Sequence, residues 1–141
     1  GRGLILNLSS LATLYPLPHM PLYNAGKSAL SSFTESMMLE YPDFPKFIDF
    51  RMGNVCSPFN SSVSRQATLN ELTQVIWAQI EKQLDESISL DSAVSQILAR
   101  VRHDQSGTFY GGTFFQRIIL PIAYRVLPMC WRIQLVRLWY R

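Results

Sequence analysis

The sequence predicts an α/β domain built on a parallel sheet and finished by apolar, arginine-bearing helices. Two observations carry this prediction. Short apolar runs, GLILNLSS, KFIDFRM and TFYGG, alternate with long stretches of helix formers, the order that a parallel sheet with crossover helices produces. The first run also has apolar residues on both alternations, as a strand covered on both faces does.

Taken in order, residues 3–10 read as the first strand. The segment LATLYPLPHMPL carries Pro16, Pro18 and Pro21 and reads as a loop, because proline can neither continue a helix nor donate within a sheet. Residues 23–41 read as a helix, with Ala25, Ala29, Phe33 and Met37 at near-helical spacing, and Pro42 and Pro45 stop it. Residues 46–52 alternate as a second strand, and residues 53–64 form a loop. Thr68 and Glu71 have capping-box spacing, so a helix is expected to about Glu86. Asp91 is expected to cap another helix running to about His103. A turn at Gln105-Ser106-Gly107 leads to the short strand TFYGG. Two apolar helical stretches follow, broken by Pro121 and Pro128.

Composition bounds the function. The 141 residues suit one domain with its own core, and 48% apolar against 16% charged residues is globular, not disordered. Two separated cysteines, Cys56 and Cys130, and two histidines make a disulfide framework or a metal site unexpected. The charge of +3 is uneven. The first 104 residues hold eight bases against ten acids, whereas the remainder holds five arginines and no acid. Those arginines are diluted among Ile, Leu, Val, Trp and Tyr, which suits a lipid surface or a protein groove better than nucleic acid. No uncharged apolar run reaches the 18 or so residues of a membrane-spanning helix.

The chemistry resides in Ser10 and in YNAGK, residues 23–27. Tyr23 and Lys27, four apart on a helix, share one face. A lysine ammonium beside a phenol favours the phenolate and makes the pair a proton donor or acceptor for carbonyl and alcohol chemistry. Ser10 closes a strand, and open α/β sheets bind ligands beyond the carboxyl ends of their strands. Its hydroxyl can hydrogen-bond a substrate oxygen. Blander assignments suit the other polar residues. His19 is read as a loop residue and His103 as a cation at a helix end. Cys56 is read as a structural thiol, Met37-Met38 as core, and the Asn7 sequon as mid-strand, with the Asn60 sequon left open.

With ILNLSS, YNAGKSAL, SSFTESMMLEY and MGNVCS, the chain resembles the short-chain dehydrogenase/reductase family. The resemblance implies a Rossmann-type doubly wound parallel sheet, of which residues 1–112 are the C-terminal, catalytic half and residues 113–141 a tail of amphipathic helices. It implies that Ser10 orients a carbonyl, Tyr23 transfers the proton, and Lys27 supports Tyr23 and holds the nicotinamide ribose. MGNVCS is similar to the family's P-G-x-V-x-T turn, with Met52 in place of the proline and Ser57 in place of the threonine. Gly53, Val55 and Ser57 therefore join Tyr23 and Lys27 as expected contacts of NADP or NAD.

The loop LYPLPHMPLYNAGK is similar to that of the membrane-associated branch of 17-beta-hydroxysteroid dehydrogenases and very-long-chain 3-oxoacyl-CoA reductases. This implies a steroid or long-chain 3-oxoacyl-CoA substrate. It also implies attachment to the endoplasmic reticulum membrane, peripherally or on its cytosolic face, with a homodimer left open. The family's Gly-rich pyrophosphate turn is not found, since Gly111-Gly112 lacks G-x-G-x-x-G spacing. The chain is thus expected to be a C-terminal half that is inactive alone. The rival expectation is a non-catalytic fragment or a membrane-associated interaction protein.

Overall fold

The computed structural model describes residues 3–57 and 71–140. Thr68 of the expected capping box, the Asn60 sequon and most of the loop after Ser57 lie outside the described residues. Strand β1 (Leu4–Ser10) runs into a 3-10 turn at Leu11–Thr13, and helix α1 (Pro21–Glu40) leads to strand β2 (Lys46–Met52). Strand β3 (Val55–Cys56), helix α2 (Glu71–Asp85) and strand β4 (Ile88–Ser89) follow, then helix α3 (Leu90–Val101) and strand β5 (Gly107–Gly111). A π-helical turn at Phe115–Ile119 passes into helix α4 (Leu120–Val126), and helix α5 (Met129–Trp139) ends the chain.

The sheet is parallel, in the order β1-β2-β5, with Asn7 opposite Asp49, Ser10 opposite Met52, and Met52 opposite Gly111. This arrangement is consistent with part of a Rossmann-type fold. Coverage of β1 is less complete than its composition predicts, since Ile5 and Leu8 remain exposed. The central strand β2 supplies the deepest side chains, Ile48 and Phe50, at 0% and 1% exposure. Phe50 pairs with Phe109, whose ring lies under the Arg100 guanidinium of α3 at 4.9 Å. That contact places α3 on one face of the sheet, and α1 takes the other.

The inward face of α1 is polar and does not include Ala25, Ala29 and Phe33, the apolar residues at helical spacing. Those three are exposed, and the helix turns Ser31 and Thr34 inward. Asn7 donates to Thr34 Oγ1 at 2.8 Å. Asp49, with 0% exposure, accepts from the hydroxyls of Ser9 on β1 and Ser31 on α1. Arg51 Nε donates to Asp49 at 2.8 Å, and its guanidinium reaches Ser31 and Glu35. A buried carboxylate is tolerated only when paired and hydrogen-bonded, and here every partner comes from an element that must be held in place.

Four local expectations are corrected. Helix α1 begins at Pro21 rather than Tyr23, because a first-turn proline lacks only an N–H that the helix does not use. Helix α3 is capped by Ser89, whose Oγ accepts from the Ser92 N–H, and ends at Val101; Asp91 lies in its first turn. Residues 55–56, expected as loop, pair in parallel with residues 88–89. Pro121 does not break the tail. It falls in the first turn of α4, directly after the π-helical turn, and such a turn accommodates the missing N–H. Pro128 does separate α4 from α5.

Candidate active site

The carboxyl ends of β1 and β2 open into a cleft of about 1520 Å³. Ordinary small-molecule pockets enclose roughly 300–1,000 Å³, so this half-open cleft is larger than most. Ser10, Tyr23, Lys27, Gly53, Val55 and Ser57 all line it. The structure thus brings together every residue that the sequence nominates for catalysis and cofactor contact.

Each is positioned by its neighbours. Ser10 is the N-cap of the 3-10 turn, and its Oγ accepts from the Ala12 N–H at 3.1 Å. A serine hydroxyl has one donor besides its lone pairs, so this capping bond leaves the O–H to donate to a ligand oxygen. Tyr23 follows Pro21 by two residues in the first turn of α1 and is 39% exposed toward the cleft. Lys27, one turn on, donates from Nζ to the Leu8 carbonyl at 2.8 Å. Its ammonium lies 5.9 Å from the Tyr23 ring centroid. That bond fastens α1 to the end of β1 and holds a positive charge within one helical turn of the phenol.

The Pro-rich loop is held down by a residue that sequence reasoning passed over. Asn24 accepts from the Leu17 N–H at 3.2 Å and donates to the Leu17 carbonyl at 2.8 Å. This double clamp ties the loop to α1 beside Tyr23. Its signal in the sequence is an Asn in a first helical turn, after three prolines. His19 lines the cleft with a backbone φ of 59°, a left-handed conformation uncommon outside glycine.

Gly53 is where β2, β5 and the tail converge. Its N–H donates to the Gly111 carbonyl at 2.9 Å. A Cβ added there would lie 2.5 Å from Gln116 Oε1 and 3.0 Å from the Gly111 oxygen. Gly112 has φ of 121°, and a Cβ there would also run into Gln116. Gln116 Oε1 accepts from the Thr113 N–H. Glycine is needed at Gly53 so that backbone and side chain can close on it, and its N–H is committed to β5.

The tail forms the far wall of the cleft, through Ile119, Leu120, Ala123, Leu135, Val136 and Trp139, facing Trp77 and Ile80 of α2. Tyr15 pins it, donating to the Leu120 carbonyl at 3.0 Å and meeting Tyr124 edge-on at 6.0 Å. The Arg132 guanidinium stacks 4.0 Å over Tyr124, a cation–π contact. Burial pushes the Tyr15 hydroxyl above its ordinary range, with Arg132 opposing and Tyr124 reinforcing the shift. Burial likewise raises Tyr140. Among the described residues, no cluster of three or more His, Cys, Asp or Glu could hold a metal ion.

The family model for short chain dehydrogenases matches residues 1–76. The chain is 28% identical over 134 residues to 17-beta-hydroxysteroid dehydrogenase type 3 of Homo sapiens, covering 87% of this chain and 41% of that protein. It is 31% identical over 65 residues to very-long-chain 3-oxoacyl-CoA reductase of Anas platyrhynchos, covering 40% of this chain and 21% of that protein. The chain therefore spans less than half the length of these relatives. No solved structure matches it.

Proposed function

We propose that this chain, which belongs to the short-chain dehydrogenase family, carries the catalytic side chains of an NADP- or NAD-dependent oxidoreductase that interconverts a carbonyl and an alcohol on a lipophilic substrate. The observation that carries the reading is the convergence of Ser10, Tyr23 and Lys27 on one cleft, with Lys27 anchored to the strand that ends in Ser10.

The residues fit the nicotinamide end of such a cofactor. Lys27 uses one of its three donors on Leu8 and keeps two for ribose hydroxyls. Val55 and Ser57 line the cleft beyond the committed Gly53. A bound nicotinamide supplies or accepts the hydride. The chain does the rest. Ser10 donates to the substrate oxygen and stabilises charge as it develops there. Tyr23 gives its hydroxyl proton to that oxygen in reduction and takes it back in oxidation. Lys27 holds positive charge beside the phenol, 5.9 Å from the ring centroid.

The apolar wall of Trp77, Ile80, Leu120 and Val136 supports an apolar substrate, because such a surface binds by burying hydrocarbon. The relatives' names, a hydroxysteroid dehydrogenase and a long-chain oxoacyl-CoA reductase, support a steroid or long-chain 3-oxoacyl-CoA in particular.

The test is turnover of such ketones, with each reduced nicotinamide cofactor, by an intact enzyme that contains these residues. Tyr23→Phe removes the proton donor and is expected to lower turnover by roughly 10²–10⁴-fold. Near-normal turnover in that variant refutes the mechanism. Absence of turnover in an intact enzyme containing these residues, with every cofactor and ketone, favours a non-catalytic member of the family.

A further inference from the structure

The helices that wall the cleft turn a second face away from it. From Phe115 through Val126, Gln116, Leu120, Ala123 and Tyr124 lie against the body, whereas Ile118, Ile122 and Val126 are exposed at four-residue spacing. In α5, Arg132 and Val136 are half-buried, as is Tyr140 just beyond it, whereas Met129, Trp131, Ile133 and Leu138 are exposed and do not line the cleft. Each stripe is apolar along one or two turns and flanked by an exposed arginine: Arg117 and Arg125 on the first helix, Arg137 on the second. Beyond Asp104 the chain contains no acidic residue.

The two features together choose the occupant. Exposed apolar stripes are costly in water and mark a contact surface. A second copy of this face would bring arginines against arginines in a self-complementary contact. No helix among the described residues is long and apolar enough to cross a membrane. Apolar stripes carrying tryptophan, rimmed by arginines in a segment without acidic residues, match a bilayer surface with anionic headgroups.

We propose that the outer face of the Phe115–Val126 helix and α5 docks on an anionic bilayer. Its apolar stripes enter the acyl boundary, and Arg117, Arg125 and Arg137 lie among the headgroups. Ile119, Leu135 and Trp139 both line the cleft and are exposed, so the cleft mouth adjoins this face. A lipophilic substrate, if the oxidoreductase reading holds, then enters from the acyl phase without crossing water.

The experiment is cosedimentation of the protein with phosphatidylcholine vesicles, and with the same vesicles containing phosphatidylserine. Binding to the anionic vesicles is expected, with a blue shift of tryptophan emission. Each arginine at an anionic surface strengthens partitioning about fivefold at low salt. The triple variant Arg117→Gln, Arg125→Gln, Arg137→Gln should therefore bind about a hundredfold more weakly. The variant Ile122→Ser, Trp131→Ser, Leu138→Ser should not bind, while its circular dichroism remains unchanged. Equal binding to both vesicle types overturns the electrostatic part. Failure to bind either, undiminished binding of the serine variant, or a dimer that those serines abolish overturns the proposal as a whole. The readout does not use turnover, so loss of the oxidoreductase reading leaves vesicle binding standing, and the reverse.

Discussion

Asp49 can be tested on its own, because so much converges on one buried carboxylate. Asp49→Ala removes the acceptor for Ser9 and Ser31 and the partner of Arg51 Nε. Arg51, with a side chain only 12% exposed, keeps Glu35, whose own side chain is 52% exposed. Removing one member of a buried ion pair costs about 3–5 kcal/mol, and a buried hydroxyl left without its acceptor costs about 1–3 kcal/mol. Because Glu35 remains and Ser31 still accepts from Arg51, the total should fall near the lower end, about 3–4 kcal/mol. For a urea slope of about 2 kcal/mol/M, the unfolding midpoint drops by about 1.5–2 M. The assay is urea unfolding followed by far-ultraviolet circular dichroism. The paired replacement Asp49→Leu with Arg51→Met removes both charges, and it should cost less than Asp49→Ala alone. A midpoint for Asp49→Ala within error of the unaltered protein refutes the reasoning. So does a double variant that loses as much as the two single losses combined.

Two further outcomes follow from the same geometry. Gly53→Ala drives a methyl toward Gln116 and the Gly111 carbonyl; it should cost about 1–3 kcal/mol by overpacking, read as a lower melting temperature, and Gln116→Ala should recover part of it. Burial raises Tyr15 and Tyr140. A raised tyrosine contributes stability that is fully present below the ordinary tyrosine value of about 10 and is lost as pH rises through the folded one. The urea midpoint should therefore hold steady to about pH 9 and fall above about pH 10, less steeply in Tyr15→Phe. A fall already complete by about pH 8 contradicts the assignment.

Much of the fold was legible in residue order alone. Alternating apolar runs and helix-forming stretches were enough to indicate a parallel sheet, and β1, β2 and β5 formed where those runs lie. Ser10, Tyr23 and Lys27 were legible because their spacing is local: a strand end, a loop and one helical turn are set by near neighbours. The orientation of α1 was not. The spacing of Ala25, Ala29 and Phe33 indicated a helix but not which face it buries, and the buried residues are Ser31 and Thr34. The reason is Asp49, forty residues from Ser9 and eighteen from Ser31. A buried carboxylate requires donors, and the inward face of α1 supplies one of them through Ser31. An Asp and an Arg at alternate positions of KFIDFRM were the only trace of this in the sequence. The tail likewise declared its apolar and basic character but not which side faces the cleft. Sequence determines what each segment can form from its neighbours. The choice of which face is buried belongs to partners distant in the chain, and only the folded structure brings Tyr15 onto Leu120 and Gln116 onto Gly53.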